Sequence, residues 1–161
     1  MRLTPALLDD LVDAIAAVGE LEHPADKQLS AFFRSRPRLG QAERGLIAEA
    51  VYAALRRRRL LEHLGAATGA RSLALATLVR LRGFSLRELG DLTSSAEADW
   101  LARLKGAARE EVPYGVACDL PDWLIDRLRQ HYSEADLLTL AQSLQQQAPL
   151  DLRVNVFKAD R

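Results

Sequence analysis

The stretch from Gln41 to Leu64, QAERGLIAEAVYAALRRRRLLEHL, decides the fold class of this 161-residue chain. It is free of proline, and its apolar residues recur at intervals of three and four. On a helical wheel with about 100° between successive residues, one face collects Ile47, Ala50, Val51, Ala54 and Leu61. The stretch therefore predicts one long amphipathic helix whose apolar stripe packs against other helices.

The same helical spacing recurs on both sides of this helix. Helix starts are predicted at Thr4-Pro5, Pro24, Gln41, Ser72, Ser94, Pro121 and Ser133. Ser85 and Ser94 are each followed three residues later by glutamate, the spacing at which hydroxyl and carboxylate satisfy helix N–H groups reciprocally. Trp100 and Trp123 stand among leucines at helical spacing and are predicted to be core residues. The fold class is therefore predicted to be all-α.

Two segments depart from the helical spacing. Residues 107–119 contain Pro113 and Gly115, which predict an irregular connection. Residues 151–158, DLRVNVFK, alternate between apolar and polar side chains, which is typical of a short strand. Because a single strand has no partner in a helical chain, we expect residues 149–161 to begin a second, truncated domain after a helical domain over residues 1–148.

Basic residues are concentrated although the formal net charge is zero. Residues 27–59 contain nine lysines and arginines against Glu43 and Glu49, a net charge of +7, so the remaining residues sum to −7. Arginine outnumbers lysine, and its planar, permanently charged fork suits phosphate groups. A GC-rich genome explains the preference for arginine equally well, but it does not explain the clustering.

The helical wheel separates the four consecutive arginines. Arg56 and Arg59 point away from the apolar stripe, whereas Arg57 and Arg58 point towards it. Arg58 is expected to lay its stem over the core and pair with Glu62 at i+4. The arginines around the preceding turn are expected to lie on the same side of the domain, which predicts a polyanion-binding patch. The predicted RNA contacts are Arg34, Arg36, Arg38, Arg44, Arg56 and Arg59.

The composition excludes several function classes. The hydrophobic fraction of 48% and the charged fraction of 27% are those of a globular protein. The nine glycines form neither a dinucleotide fingerprint nor a phosphate-binding loop. The single cysteine, Cys118, is interpreted as a packing residue, and the three histidines are scattered. No catalytic, cofactor-binding or metal-ligating residue is predicted.

The absence of a long apolar stretch and of a disulfide framework predicts a cytoplasmic protein without a membrane span.

Several stretches together resemble a known family. Residues 24–34 (PADKQLSAFFR), 39–52 (LGQAERGLIAEAVY) and 55–60 (LRRRRL) resemble the N-terminal helical module of Sun/Fmu-type RNA cytosine-C5 methyltransferases. Residues 120–128 (LPDWLIDRL) resemble the P-x-W-L helix that follows in that family. Residues 149–158 (PLDLRVNVFK) resemble its P-L-x-L-R-V-N-x-x-K strand, which is the most specific of these motifs.

The resemblance implies a fold and a function. It implies a helical bundle similar to the antitermination factor NusB, followed by the start of an RRM-like α/β domain. In that family a catalytic domain follows, which binds S-adenosylmethionine and carries two catalytic cysteines; this sequence contains neither its glycine loop nor its cysteine pair. We therefore expect a non-catalytic module that binds ribosomal RNA beside its own C-terminal catalytic domain. The alternative is a helical protein–protein or interdomain adapter that does not bind nucleic acid.

Overall fold

The part of the chain that the structure describes is α-helical. The structure is a computed structural model, and it describes residues 3–20, 23–66, 69–106, 112–146, 151, 153–155, 157 and 158. The α-helices in these ranges are α1 (Pro5–Gly19), α2 (Ala25–Ser35), α3 (Gln41–Arg56), α4 (Arg58–Leu61), α5 (Ala70–Ala76), α6 (Leu86–Leu89), α7 (Ser95–Gly106), α8 (Tyr114–Cys118), α9 (Asp122–Leu128) and α10 (Glu134–Leu144). The prediction of an all-α fold is confirmed.

Hydroxyl side chains start several of these helices as the sequence predicts. The Thr4 hydroxyl accepts a hydrogen bond from the backbone N–H of Leu7 at 3.2 Å, and Pro5 follows at the first helical position. Ser85 and Ser94 form capping boxes in which the glutamate three residues later accepts from the serine N–H, at 2.8 Å in both cases. Ser133 caps α10. Local sequence therefore sets where these helices begin.

Helices α1 to α7 share one hydrophobic core and are called the large unit here. Helix α1 contacts α2, α3 and α5. Its buried face repeats at three and four residues, and it meets the apolar stripe of α3. Residues fully buried in this core include Leu8, Leu11, Val18, Ile47, Leu75 and Leu78. Burial of each such leucine side chain contributes roughly 2 kcal/mol to folding.

Helices α8 to α10 form a second, smaller hydrophobic cluster and are called the small unit here. The cluster consists of the buried residues Cys118, Ile125, Leu137 and Ala141, with four partly buried side chains packed around them. The prediction that Cys118 is a packing residue is confirmed, because its side chain is fully buried. The small unit packs against α4 of the large unit.

The long helix predicted over residues 41–64 is broken. Helix α3 ends at Arg56, Arg57 takes a non-helical backbone (φ −118°, ψ 24°), and the short helix α4 follows. A π-helical turn then runs from Glu62 to Ala66 and contains Gly65 with φ 92°. Neither proline nor glycine stands at the break. The break lies beside the contact with the small unit described below.

Two further sequence expectations are corrected in the C-terminal part. Within the predicted irregular connection, residues 114–118 form α8, because Pro113 precedes a helix as readily as it ends one; residues 107–111 lie outside the described residues. Trp123 is 66% exposed, because α9 turns Ile125 rather than the tryptophan into the small core. Trp100 is half-buried against the core of the large unit.

The predicted strand over residues 151–158 does not form in its described part. Residues 151, 153–155, 157 and 158 adopt no strand, and the Lys158 N–H closes a turn onto the carbonyl of Asn155 at 2.9 Å. Leu152 and Val156 lie outside the described residues. The physical reason is that a strand needs a neighbour for its backbone groups, and no second strand is present in the described ranges.

Within the described ranges, every helix is too short or too polar to cross a membrane.

Candidate nucleic-acid interface

The first group of predicted RNA contacts surrounds the turn between α2 and α3. Arg36 donates from Nε to Asp10 Oδ1 at 3.2 Å and from Nη2 to Asp13 Oδ2 at 2.8 Å. Arg38 donates from Nη2 to the same Asp10 oxygen at 2.8 Å. Hydrogen bonds with Asp13 and Asp10 raise the pKa of Arg36. The Asp10 carboxylate is 2% exposed, so it holds the turn against α1 from within the protein.

The other two arginines of this group differ in accessibility. Arg44 donates from Nε to the carbonyl of Leu39 at 2.8 Å, and its guanidinium lies 5.7 Å from the ring centre of Phe33. These contacts fix the turn and leave Arg44 half-buried. Arg34 is exposed, and its one hydrogen bond within the described residues goes to the Ser30 hydroxyl at 2.8 Å. Arg34 and the 59%-exposed side chain of Arg38 are therefore the accessible cations here.

The second group is the run of four arginines at the break between α3 and α4. Arg56 is exposed and forms no ion pair within the described residues. The expected Arg58 contact is confirmed: Nε pairs with Glu62 Oε1 at 2.7 Å, while Nη1 bonds the carbonyl of Gly19 at 2.9 Å. Arg58 therefore closes the C-terminal end of α1 rather than facing solvent freely.

Arg57 and Arg59 point into the junction with the small unit. Arg57 Nε lies 3.3 Å from Asp119 Oδ2. Arg59 donates from Nη1 to the carbonyl of Leu120 at 2.7 Å and pairs through Nη2 with Asp122 Oδ1 at 2.6 Å. Both guanidinium groups are thus neutralised by carboxylates from the small unit.

Asp119 is the centre of this junction. Its side chain is 2% exposed, and its Oδ1 accepts a hydrogen bond from the backbone N–H of Arg59 at 2.9 Å. Burial raises the pKa of Asp119, against the opposing effects of Arg57 and of the backbone N–H groups of Arg59 and Leu60. The backbone of Asp119 is left-handed, with φ 52°, a conformation that aspartate tolerates better than most residues.

The two arginine groups do not merge into one patch. The first lies at the start of α3 and the second at its end, and sixteen helical residues at 1.5 Å each separate them by about 24 Å. Four aspartates, Asp10, Asp13, Asp119 and Asp122, neutralise much of the charge that the sequence concentrates there. RNA binding by the six arginines therefore stays a prediction, and Arg34, Arg38 and Arg56 are its accessible members.

Sequence reasoning missed both buried aspartates. Asp10 carried a usable signal, because it lies on the buried face of α1 between Leu7 and Ala14, where an acidic residue requires a cationic partner. Asp119 carried none, because it follows a short helix and meets Arg59 from 60 residues away in sequence. Its role becomes visible only in the folded molecule.

A separate open groove of about 420 Å³ lies between the end of the π-helical turn, the start of α5 and α7. Arg71 donates from Nε to Glu97 Oε1 at 2.7 Å and from Nη2 to the carbonyl of Leu92 at 2.8 Å. The hydrogen bond from Arg71, with help from the Ser94 N–H and hydroxyl, lowers the pKa of Glu97 to about 2. Since Glu97 also completes the capping box of α7, this ion pair is explained by its structural role.

Among the described residues, no group of three or more histidine, cysteine, aspartate or glutamate side chains is placed to hold a metal ion.

Comparison with known proteins gives one match. Residues 120–161, which are 42 of the 161 residues, match the family described as "Methyltr_RsmF/B-like, ferredoxin-like domain". No curated protein and no solved structure is significantly similar to the chain. The match supports the resemblance to Sun/Fmu-type methyltransferases through the C-terminal motifs, and it does not include the helices of the large unit. It begins at Leu120, whose carbonyl accepts the hydrogen bond from Arg59.

Proposed function

We propose that this chain is the N-terminal part of an S-adenosylmethionine-dependent ribosomal RNA 5-methylcytosine methyltransferase, in which it binds and orients the RNA. The observation that carries the proposal is the match of residues 120–161 to the ferredoxin-like domain of RsmF/B-like methyltransferases. The helical residues before it would form the NusB-like module that precedes this domain in the family. The cytoplasm is the compartment in which such an enzyme would act.

The proposed RNA contacts are phosphate contacts through exposed guanidinium groups. Arg34 and Arg56 are exposed and have no carboxylate partner among the described residues. Arg38 gives one hydrogen bond to Asp10 and keeps its other donors for solvent or phosphate. Three cations of this kind position an RNA backbone without reading its sequence, which suits a module that presents RNA to another domain.

Catalysis is assigned to the domain that would follow this chain. The methyl donor would be supplied there by S-adenosylmethionine. Cys118, the one cysteine of the sequence, is fully buried in the small unit and does not fit the role of an attacking thiolate. The chain itself is therefore proposed to bind RNA and not to transfer a methyl group.

The adapter alternative is favoured by one specific contact. Two of the four consecutive arginines, Arg57 and Arg59, pair with Asp119 and Asp122 at the edge of the matched region. An arginine run used in this way joins two parts of one chain and leaves less charge for RNA. Arg59, one of the predicted RNA contacts, is the residue on which the two functions conflict.

The test is a binding titration of the full chain with structured ribosomal RNA fragments at several salt concentrations. Replacement of both Arg34 and Arg56 by glutamate should weaken binding at least roughly tenfold, and should reduce the slope of log affinity against log salt by about two. The matched control replaces Arg87 and Arg103, two exposed arginines of α6 and α7, by glutamate. It carries the same change in net charge.

Equal weakening in the control pair would show that only net charge matters, and it would overturn the assignment of the contacts. If the wild-type chain did not bind the RNA fragments even at low salt, the adapter function would replace the RNA-binding one.

A further inference from the structure

The break between α3 and α4 has no local cause in the sequence. The residues around it read Leu55-Arg-Arg-Arg-Arg-Leu60, and arginine is among the better helix formers. A sharp break in a helix is caused by proline, by small residues, by a π-bulge, or by a group that inserts into the ladder of i→i−4 hydrogen bonds. Neither proline nor a small residue stands at Arg57, and the π-helical turn begins only at Glu62, after α4, so an inserted group is the remaining cause.

The inserted group is the carboxylate of Asp119. The ladder is intact on either side of the break, because Arg57 N–H bonds the carbonyl of Ala53 at 3.1 Å and Leu61 N–H bonds that of Arg57 at 3.0 Å. Between them, the N–H of Arg59 donates to Asp119 Oδ1 at 2.9 Å. The backbone N–H of Leu60 also lowers the pKa of this carboxylate. Asp119 thus accepts from an amide group, that of Arg59, which a continuous helix would direct to its own carbonyl.

Asp119 reaches this position only because the small unit is docked. Arg57 and Arg59 hold the carboxylates of Asp119 and Asp122. Gly115 in α8 approaches Arg59 so closely that a Cβ atom there would lie 3.0 Å from Nη2. The shape of the large unit at Arg57 therefore depends on contacts with another part of the chain.

We propose that Asp119 is a removable wedge that couples docking of the small unit to the shape and accessibility of the arginine run. While the small unit is docked, the helix is broken at Arg57 and the charges of Arg57 and Arg59 are satisfied internally. When the small unit leaves, α3 and α4 join into one helix. Arg59 then turns to the outer face beside Arg56, where both can contact RNA phosphates. This last step rests on the proposed RNA-binding function.

The exchange of backbone hydrogen-bond acceptors at the break costs little free energy, so the docking contacts of Arg57 and Arg59 decide which shape is adopted. The amide group of Arg59 exchanges one acceptor, Asp119 Oδ1, for another, the carbonyl of Leu55. This amide has a partner in both shapes, so neither shape bears the penalty of leaving it as an unsatisfied buried donor. When the small unit leaves, water solvates the Asp119 carboxylate, and this solvation offsets part of the attraction to Arg57 that is given up.

The experiment compares backbone chemical shifts of the full chain in three forms. In Asp119→Ala the ¹³Cα shift of Arg57 should move to the helical range, because the wedge is gone. In Asp119→Asn it should stay at the wild-type value, because asparagine keeps the Oδ1 acceptor and tolerates the left-handed backbone. A wild-type shift in the alanine variant, or a helical shift in the asparagine variant, would overturn the wedge.

A second variant tests the same coupling if the alanine variant does not fold. Gly115→Leu leaves Asp119 intact but places a side chain against Arg59, so it should displace the small unit by steric contact and move the Arg57 shift in the same direction. Gly90→Leu is the matched control, since a Cβ at Gly90 meets nothing within 4 Å. An unchanged Arg57 shift in Gly115→Leu with a displaced small unit would contradict the proposal.

RNA titrations of the same proteins separate this proposal from the function on which it rests. The alanine variant should bind structured RNA several-fold more tightly than the asparagine variant. If neither variant nor the wild-type chain binds RNA, the proposed function fails, while the chemical shifts still decide whether Asp119 is a wedge. If all bind equally, the release of the arginines is wrong.

Discussion

Asp10 and Asp119 lie at the two ends of the arginine-rich stretch, and each buried carboxylate contacts two arginine residues. Asp10 lies in the middle of α1 and pairs with Arg36 and Arg38 of a turn in the same unit. Asp119 lies between two short helices of the small unit, and across the junction it pairs with the Arg57 side chain and accepts from the backbone N–H of Arg59 in α4. Both keep an Oδ2 atom that is buried without a hydrogen bond among the described residues.

The difference lies in the donor groups that each carboxylate accepts from. Asp10 accepts from side chains only, and the backbone around it is an unbroken helix. Asp119 accepts from a backbone amide and so determines where a helix is interrupted. A buried ion pair inside one core is part of that core, whereas a buried carboxylate at a junction links the conformations of two units. The pairing of aspartate with arginine therefore stabilises one unit at Asp10, whereas at Asp119 it makes the backbone of the large unit depend on docking of the small unit.

The largest effect is expected from Asp10→Ala. Its removal leaves Arg36 and Arg38 without their buried partner and opens a polar gap beneath the α2–α3 turn. Because both guanidinium groups can still reach water, we expect a loss of about 3 kcal/mol in the free energy of unfolding, at the low end for a broken buried pair. Urea unfolding followed by circular dichroism measures this loss.

The control is Asp13→Ala, which removes a 56%-exposed partner of Arg36 and should have a much smaller effect. Equal losses of stability in the two variants would show that burial is not what matters at Asp10.

A smaller effect is expected from Glu97→Gln, with a definite pH dependence. Arg71 lowers the pKa of Glu97 from 4.5 to about 2, so the folded state binds its proton less readily than the unfolded state. The pair therefore contributes stability above the ordinary glutamate pKa, and this contribution is lost as the pH falls towards 2. We expect a loss of about 1–2 kcal/mol at neutral pH, after allowance for the partly exposed Arg71. A difference from wild type that does not shrink in acid would contradict this origin.

The smallest effect, of opposite sign with pH, is expected from Asp119→Asn. Asparagine loses the attraction to Arg57 but avoids burying a charge, so the stability at neutral pH should stay within about 1 kcal/mol of wild type. Because burial raises the pKa of Asp119, the folded state binds the proton more readily than the unfolded state. Wild type should therefore gain stability relative to the variant as the pH falls through the folded-state pKa. Parallel urea titrations of the two proteins at neutral and acidic pH measure this difference. If the wild type became less stable relative to the variant in acid, burial would not be the main cause of the pKa shift of Asp119.

Predictions from the sequence succeeded where the cause is local. The caps at Thr4 and Ser133 and the pair between Arg58 and Glu62 involve residues three or four positions apart, and the structure contains all of them. These three contacts follow from helix geometry alone, which fixes the distance between such residues. The helical wheel also placed Arg57 and Arg58 on the inner side of the run, but its placement of Arg59 on the outer face is wrong, because Arg59 pairs with Asp122 in the junction.

Predictions failed where the partner is distant in sequence. The wheel for residues 41–64 assumed a continuous helix, and Asp119 interrupts it. Trp123 matched the spacing of a buried residue, yet the small unit buries Ile125 instead. The strand needed a neighbouring strand, which the described residues do not provide. For the candidate interface, the sequence located the arginines but not the four aspartates that bind them.

The sequence by itself determined that this protein is helical, where most helices begin, and that residues 120–161 match the RsmF/B-like methyltransferase ferredoxin-like domain family, because periodicity, capping and motif spacing depend on neighbouring residues. Tertiary structure alone decided which arginines face solvent and where the longest helix breaks. The physical reason is that a guanidinium group or a backbone amide binds whichever acceptor the fold brings within 3 Å, and Asp119 comes that close only after two hydrophobic cores have formed and packed together.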